Sequence, residues 1–364
     1  MRSIEYLGVT PEALGADATR ALAFRRLALN SAVAEIAGLF QARGVRPLLI
    51  KGPAFARWLY DNPRDRWYND IDLLVSPSDF EAAKRGLAEL RFESLPQNAM
   101  HANEHSGSYH EEWVRSGALP IPVDLHHTLR SVSAEPTLVW RLLTEDAETI
   151  EVSGARIDVP SDVVSALILS LHAANHGIGA RAHDTPLNPD WPQPGGCVDL
   201  NVGGRYARRD LQLAVQRVDV ETWRSAAALA QKLGAGPLFA FGLRLDPTGR
   251  DLADRLGLSD RMTRPLRLRT SAPPGAAIAI EKLISAHGTS ARLRLLAHQL
   301  VPSRTYMLTH SALARRGRLG LICAYLWRPF RLMVRLPSGL RAWVRAAVPA
   351  ARTGRREASN KEGR

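Results

Sequence analysis

Cysteine is almost missing from this chain of 364 residues, which contains only Cys197 and Cys323. Two thiols so far apart in sequence do not suggest a disulfide framework, and they are too few for a four-cysteine zinc site. Small secreted proteins that are held together by disulfides are therefore excluded as a class. The low cysteine content also fits a reducing compartment, so we expect a cytoplasmic protein.

Long apolar runs are missing as well. A helix needs about 20 apolar residues to span a bilayer, and the best candidate here is the short stretch 319–327. The N-terminal residues carry charges from Arg2 onward and have no uninterrupted apolar core, so they do not resemble a secretory signal. The composition, 45% hydrophobic and 23% charged, is ordinary for a folded globular protein.

Acidic residues are scarce in the C-terminal part of the chain. From Arg261 to Arg364 there are 21 Lys or Arg and three Asp or Glu, whereas the preceding residues have a small excess of acidic side chains. Residues 315–345 mix Arg with Trp, Phe, Leu, Val and Met. Such a mixture suits an anionic membrane surface, for instance the inner membrane face. Nucleic acid or a protein partner would use the same charge, and so would a basic helical subdomain packed on the acidic body.

Apolar patterning predicts helices alternating with short strands at the start of the chain. The predicted elements are helix 18–43, strand 47–50, helix 54–60, strand 71–75, helix 80–90, strand 121–125, hairpin strands 148–152 and 155–159, and helix 161–175. Composition divides the chain further. The predicted regions are a core over 1–160, a helical region over 161–269 with an irregular loop at 177–205, a basic helical tail over 270–350, and a disordered end over 351–364. Pro329 and Pro337 are expected to interrupt the helix of the basic tail.

Two carboxylates, Asp70 and Asp72, stand two residues apart at the second predicted strand. A period of two places them on one face of the strand. Two like charges held so close repel each other unless a cation lies between them. Mg²⁺ prefers such oxygen ligands and completes its shell with phosphate oxygens and water. Asp124 on the third predicted strand would complete a two-metal site and could assist deprotonation of an attacking hydroxyl.

The turn Lys51-Gly52 follows the first predicted strand and precedes a predicted helix. Glycine at this point lets phosphate oxygens approach the backbone, and a helix N-terminus favours anions. Lys51 would add a positive charge. An Asp-x-Asp pair alone is a weak signal, because a solvated strand edge can carry the same letters. The order of strand, glycine turn, helix, Asp-x-Asp strand and later Asp strand is more specific.

The segment LLIKGPAFARWLYDNPRDRWYNDIDLLV at 48–75, followed by PVDLHHTL at 122–129, resembles a known superfamily. It is the superfamily that includes DNA polymerase beta and the antibiotic and antitoxin nucleotidyltransferases. More narrowly, the segment is similar to the bacterial family of uncharacterised nucleotidyltransferases. The resemblance implies an α+β fold, in which a polymerase beta-like core with a small mixed sheet flanked by helices is followed by a mostly helical C-terminal region.

The resemblance also implies an activity and its residues. A nucleoside monophosphate would be transferred from a nucleoside triphosphate to a hydroxyl-bearing acceptor that the sequence does not identify. Two magnesium ions would be held by the carboxylates, which are Asp70, Asp72 and Asp124. The residues that the resemblance assigns to nucleotide binding are Lys51, Gly52, Arg66 and His126. Tyr60 matches a further position of the intervening segment.

One position departs from the superfamily pattern, because Pro53 stands where a serine usually follows the turn glycine. Proline offers neither a hydroxyl nor a backbone N–H to a phosphate. This departure keeps a second hypothesis open: a catalytically degenerate binding protein of the same fold, which acts through its basic tail on a membrane, nucleic acid or a protein.

Three smaller patterns leave alternatives open. His172 and His176 have the i, i+4 spacing of zinc ligands, but a helix face packed in the fold is the more frequent use. His126 and His127 alternate, so at most one of them can point at the metals. The run Arg208-Arg209-Asp210-Leu211 near the start of a helix suits an intrahelical or interhelical salt bridge at least as well as a substrate contact.

Overall fold

A computed structural model describes residues 16–95, 109–176, 203–270, 273–302 and 304–347. The chain forms two compact units, Met1–Arg261 and Met262–Arg364. The irregular loop predicted at 177–205 lies outside the described residues except for its last three positions, which begin a helix. The disordered end predicted at 351–364 lies outside them entirely.

The first unit combines a sheet with helices. Its strands are β1 (Leu48–Leu49), β2 (Ile71–Leu74), β3 (Glu93–Ser94), β4 (His110–Arg115), β5 (Ile121–His126), β6 (Glu148–Val152) and β7 (Ala155–Val159). Its helices are α1 (Ala16–Ala42), α2 (Pro53–Leu59), α3 (Phe80–Glu89), α4 (Pro136–Thr144), α5 (Asp162–His176), α6 (Gly203–Arg217), α7 (Val220–Lys232), α8 (Gly236–Arg244) and α9 (Pro247–Arg255).

The second unit is helical throughout its described part. Its helices are α10 (Arg264–Thr270), α11 (Gly275–Ser285), α12 (Thr289–Leu300), α13 (Arg304–His310) and α14 (Arg318–Ala347). The expectation that prolines interrupt the last helix is wrong, because α14 continues through both Pro329 and Pro337. Among the described residues, no helix has the length and apolar content that crossing a bilayer requires.

The seven strands form one mixed sheet in the order β3-β4-β5-β2-β1-β7-β6. The two central strands, β5 and β2, run parallel, whereas β1 is antiparallel to β2 and parallel to β7. The predicted hairpin is confirmed as the antiparallel pair β6 and β7. The predicted α+β class, with a mixed sheet, flanking helices and a helical C-terminal region, is confirmed as well.

The hydrophobic core of the first unit lies on one face of this sheet, under α1 and α3. Helix α1 contributes large side chains at helical spacing, among them Leu29, Ile36 and Phe40, all fully buried. They pack against Leu73 of β2 and Leu125 of β5 in the same cluster. Because side chains alternate along a strand, the neighbours of these leucines point to the opposite face of the sheet. That opposite face carries the carboxylates.

Helices α5 and α8 pack closely in the helical part of the first unit. The buried Ser170 hydroxyl of α5 donates a hydrogen bond of 2.8 Å to the carbonyl oxygen of Phe239 in α8. Gly242 of α8 faces the same turn of α5, and a Cβ added there would overlap the carbonyl oxygen of Ser170. The contact therefore requires glycine for its small size.

We expect Gly242→Ala to destabilise the protein by about 1–3 kcal/mol, because the added methyl group overpacks the helix contact. Gly38→Ala is the matched control, since Gly38 also lies in a helix but a Cβ there meets nothing within 4 Å. The control should be neutral or stabilise by about 0.5–1 kcal/mol. Urea unfolding measures both variants. Equal effects of the two substitutions would contradict the close packing.

Candidate metal and nucleotide site

Two carboxylates face each other across the central strands. In the parallel pairing of β2 with β5, Asp72 is the register partner of Asp124. Both belong to the face opposite the core, and His126 lies two residues further along β5 on the same face. One ligand atom from each of these three side chains lies within 4.8 Å of the other two. The sheet therefore brings together three of the side chains that the sequence selected.

The imidazole of His126 belongs to this cluster through a direct contact. Its Nε2 lies 3.2 Å from Oδ1 of Asp72, and its ring stacks on that of His110 with centroids 5.2 Å apart. The Nδ1 atom is buried and has no hydrogen-bond partner. Burial lowers the pKa of His126 to about 4, so the ring is neutral near pH 7 and free to act as a ligand.

The neighbouring His127 points elsewhere. Its ring meets Phe80 edge-on at a centroid distance of 4.9 Å, on the α3 side of the sheet. The prediction that at most one of the two histidines can face the carboxylates is therefore confirmed.

Lys51 brings positive charge to the cluster from the turn between β1 and α2. Its Nζ lies 2.5 Å from Oδ1 of Asp72. Burial alone would lower the pKa of Lys51, but Asp72, Asp70 and Asp124 outweigh this effect and the pKa is raised. The ammonium group is therefore charged and held by the carboxylates.

Gly52 completes the turn in a conformation that suits glycine. Its φ of 57° and ψ of −116° lie where a residue with a Cβ is strained, although a Cβ would have room against Tyr68. Pro53 follows at the first position of α2, where its fixed φ favours the helix. The turn directs the chain from β1 into α2 and places Lys51 beside the carboxylates.

Asp70 lies immediately before β2 and outside the close group of three ligands. It interacts electrostatically with Asp72, Lys51 and Arg66. Burial and the charge of Asp72 raise the pKa of Asp70 to about 6. Burial, Asp72 and Asp70 likewise raise the pKa of Asp124 well above its usual range.

The carboxyl group of Asp72 behaves differently. Burial would raise the pKa of Asp72, but the charge of Lys51 and the hydrogen bonds from His126 and Lys51 outweigh it and lower that pKa. Lys51 therefore neutralises chiefly Asp72, while Arg66, which is itself paired with Asp210, offsets the charge of Asp70 only in part. The cluster lacks positive charge, and a divalent cation would supply it.

The donor set fits a hard divalent cation. Carboxylate oxygens are the ligands that Mg²⁺ and Mn²⁺ prefer, and the neutral imidazole of His126 adds a nitrogen donor that Mn²⁺ accepts readily. Asp72 and Asp124 would hold the ion, with His126 at its side and Asp70 next to it. The buried Nδ1 of His126, which has no protein partner, is consistent with a ligand at this site.

Arg66 affects the carboxylate cluster through its charge, which lowers the pKa of Asp70, but its ion-pair partner lies elsewhere. It forms an ion pair with Asp210 of α6, with Nη2 at 2.8 Å and Nε at 2.9 Å from Oδ2, and both side chains are buried. Its Nη1 also donates a hydrogen bond of 3.2 Å to the carbonyl oxygen of Gly52. Arg66 thus links the lysine-glycine turn to α6, and its predicted contact with the nucleotide stays a prediction.

Tyr60 joins the same network. Its hydroxyl donates a hydrogen bond of 2.7 Å to Oδ1 of Asp210, and the guanidinium of Arg209 lies over its ring at 5.4 Å. Burial and the charge of Asp210 raise the pKa of Tyr60, so it remains protonated. A salt bridge is thus present at Asp210, but its partner Arg66 lies in the segment before β2 and not in a helix.

Sequence reasoning missed the contribution of β4 to this face. In the antiparallel pairing of β4 with β5, Glu112 is opposite Asp124 and His110 is opposite His126. Glu112 extends the row of carboxylates onto a third strand, although its side chain is more than half exposed. His110 and Glu112 alternate as residues on a strand do. The strand sequence HEEWVR is mostly polar, however, so it shows no apolar pattern from which a strand could be predicted.

The histidine pair on α5 gains no support as a zinc site. His172 is half-buried on the helix, and the side chain of His176 lies outside the described residues. Within the described part of the chain, the group able to hold a metal is Asp72, Asp124 and His126.

A mixed sheet with two facing carboxylates beside a lysine-glycine turn is the arrangement expected of a nucleotidyltransferase. The family model described as "Uncharacterised nucleotidyltransferase" matches residues 6–189, just over half of the chain. The protein therefore belongs to this family of uncharacterised nucleotidyltransferases.

Comparison with individual proteins adds little. No curated protein matches the sequence. A matching solved structure is that of an antigenic nucleotidyltransferase-like protein from Paracoccidioides brasiliensis, with 14% identity and a TM-score of 0.35 over 64% of this chain and 94% of that one.

We expect Asp210→Asn to destabilise the protein by about 3–5 kcal/mol, because it leaves the buried Arg66 without its counter-charge. Tyr60→Phe removes one hydrogen bond to a charged group and should cost about 1.5–3 kcal/mol. Asp61→Asn is the control, since Asp61 pairs with Arg217 at the surface and its loss should be barely measurable. Urea unfolding ranks the three variants. An Asp210→Asn protein as stable as the control would contradict the structural role.

We expect Asp70→Asn to stabilise the metal-free protein at about pH 8 by roughly 1–3 kcal/mol. The folded protein holds the Asp70 proton more tightly than the unfolded chain, because its pKa is raised to about 6. The stability of the wild-type protein relative to the variant should therefore fall as pH rises through the window from about 4 to about 6. Urea unfolding in EDTA at both ends of the window measures the difference. A destabilised variant at the higher pH would contradict the electrostatic conflict.

Proposed function

We propose that the protein is a metal-dependent nucleotidyltransferase, which transfers a nucleoside monophosphate from a nucleoside triphosphate to a hydroxyl group of an acceptor. The observation that carries the proposal is the convergence of Asp72, Asp124 and His126 beside the lysine-glycine turn. Membership of a nucleotidyltransferase family supports it. The identity of the acceptor does not follow from these residues.

In this proposal the carboxylates hold Mg²⁺. Asp72 and Asp124 would be the main ligands, and Asp70 beside them would add a further carboxylate. When bound, the metal ions stabilise the negative charge that develops on the phosphate oxygens during transfer. The sheet fixes the two main ligands on neighbouring rigid strands, so little reorganisation is needed when the substrate binds.

Lys51 provides the positive charge for the phosphates. In the described structure its ammonium group lies against Asp72. In the nucleotide complex we expect Lys51 to exchange this carboxylate for a phosphate oxygen. Gly52 leaves the backbone beside it open to the same phosphates, and Arg66 holds the turn in place through the Gly52 carbonyl oxygen.

Asp124 is suited to accept the proton of the acceptor hydroxyl. A metal ion held by the same carboxylate would lower the pKa of the bound hydroxyl and so ease this proton transfer. The deprotonated acceptor oxygen then forms a bond to the α-phosphorus. The bond from this phosphorus to the oxygen that bridges to the β-phosphate breaks, and pyrophosphate leaves with the electron pair.

One observation favours a second candidate, a binding protein of the same fold that no longer transfers nucleotides. Pro53 has no N–H, and the N–H groups of Ala54 and Ala56 already donate to the carbonyl oxygens of Lys51 and Gly52. Few backbone donors therefore remain at the turn for a triphosphate. Such a protein would act on its partners through the basic C-terminal region.

Titration calorimetry with Mg²⁺, Mn²⁺ and each of the four nucleoside triphosphates tests the proposal. We expect at least one nucleotide to bind only with metal, and Asp72→Asn and Asp124→Asn to weaken this binding more than about tenfold, because each loses a charged ligand. Glu111→Gln is the matched control. Glu111 lies on β4 of the same sheet but faces the core side and pairs with Lys84.

The outcomes separate the two candidates. Metal-dependent binding that is lost in both site variants and kept in the control supports the transferase. Nucleotide binding that is equal in all four proteins contradicts the assigned site. A folded wild-type protein that binds neither metal nor nucleotide favours the binding protein.

A further inference from the structure

The second unit exposes an unusual number of large apolar side chains. Among the described residues twenty such side chains are exposed, and sixteen of them lie in this unit. Its buried clusters are small, and each contains three buried residues. A folded unit normally places its large apolar side chains in its core. This unit instead presents most of them to its surroundings.

Helix α14 carries a continuous apolar stripe. The stripe consists of Leu319, Ile322, Leu326, Phe330, Met333, Leu340 and Val344, all exposed. The spacing between successive members is three or four residues, except where the exposed Pro337 stands between Met333 and Leu340. At 100° per residue these positions fall within about 80° of the helix circumference. The stripe is therefore one face along nearly the whole helix.

The opposite face of α14 packs against its own unit through small residues. The buried positions are Gly320, Ala324, Gly339 and Ala346. A Cβ at Gly320 would overlap the carbonyl oxygen of Leu313, and one at Gly339 would overlap Ala276. The helix is thus held closely by its small side chains. This packing turns the large apolar side chains away from the unit.

The charges around the stripe are of one sign. No Asp or Glu occurs from Lys282 to Ala347, whereas Arg occurs eleven times from 289 to 347. On α14 the exposed Arg341 and Arg345 border one edge of the stripe, and the exposed Arg318 borders the other. A surface that pairs apolar side chains with Arg alone complements an apolar phase with an anionic boundary.

A second helix shows the same pattern. Helix α12 packs against α14 and exposes Leu293, Leu296 and Leu300 on one face. Arg292 and Arg294 stand on either side of Leu293 in the sequence, and both are exposed. The apolar and basic character is therefore a property of the unit and not of one helix.

We infer that the stripe of α14 binds the surface of an anionic lipid bilayer. The apolar side chains enter the boundary between headgroups and acyl chains, while the bordering arginines contact lipid phosphates. Nucleic acid fits less well, because its sites combine basic residues with stacking aromatics and the stripe is mainly aliphatic. A protein partner would need acidic side chains around an apolar centre. The inference does not depend on the proposed transferase activity.

Flotation of the full-length protein with vesicles tests the inference. One set contains phosphatidylcholine alone and the other contains phosphatidylcholine with phosphatidylglycerol. The apolar variant is Leu326→Gln/Phe330→Gln/Met333→Gln, and the charge variant is Arg341→Gln/Arg345→Gln. The matched control is Phe24→Gln/Leu27→Gln, which removes two equally exposed apolar side chains of α1.

We expect the wild-type protein and the control to bind the anionic vesicles at least about tenfold more tightly than the neutral ones, because two to four arginines contribute. The apolar variant should lose at least about tenfold in binding. The charge variant should lose a similar amount and show less dependence on salt. Asp72→Asn should bind the vesicles like the wild-type protein, so failure of the proposed transferase function leaves this result unaffected.

Three results would overturn the inference. The first is no binding to anionic vesicles by the folded wild-type protein. The second is tighter binding to a 30-base single-stranded DNA than to vesicles, unchanged in the apolar variant, which would favour nucleic acid. The third is a wild-type oligomer that the apolar variant converts to monomers without any vesicle binding, which would assign the stripe to contacts between copies of the chain.

Discussion

The candidate site depends on the register between the parallel strands β2 and β5. The register places Asp72 beside Asp124, and it is fixed from the other face of the sheet. There Leu73 and Leu125 are paired and fully buried under α1. A slip of one residue would expose these leucines and bury the carboxylates in the core, which is why a half-buried strand pair specifies its register strongly. Packing on the core face of the sheet therefore fixes the relative positions of the two carboxylates on the other face.

This arrangement carries an electrostatic cost that the core must offset. Lys51 neutralises chiefly Asp72, while the raised pKa values of Asp70 and Asp124 record the repulsion that remains. A substrate complex that brings cations would relieve it, so the site is more favourable when occupied than when empty. The turn that carries Lys51 must keep its position whether the site is occupied or empty. The buried pair of Arg66 and Asp210 provides this support from outside the cluster.

Local patterns made the strand and helix order of the core predictable, because a period of two and a glycine turn are properties of neighbouring residues. They placed Asp72 and Asp124 on strands and assigned His126 and His127 to opposite sides. They did not find β4, whose polar letters conceal the alternation of His110 and Glu112. Nor could they pair Arg66 with a residue 144 positions away. Such partners follow from tertiary packing alone, and the nucleotide contact that the resemblance implies for Arg66 stays a prediction.

In helix α14, the apolar pattern of the sequence does not identify the face that packs on the core. Its apolar residues recur at helical spacing, and a pattern of this kind normally marks the face that packs on the core. Here the core side is occupied by Gly320, Ala324, Gly339 and Ala346, and close approach of backbones replaces large side chains as the source of packing. Exposing the stripe to water costs free energy in proportion to its apolar area. In the inferred membrane contact, the stripe would recover this cost in an apolar phase, and the arginines beside it would favour one with an anionic surface.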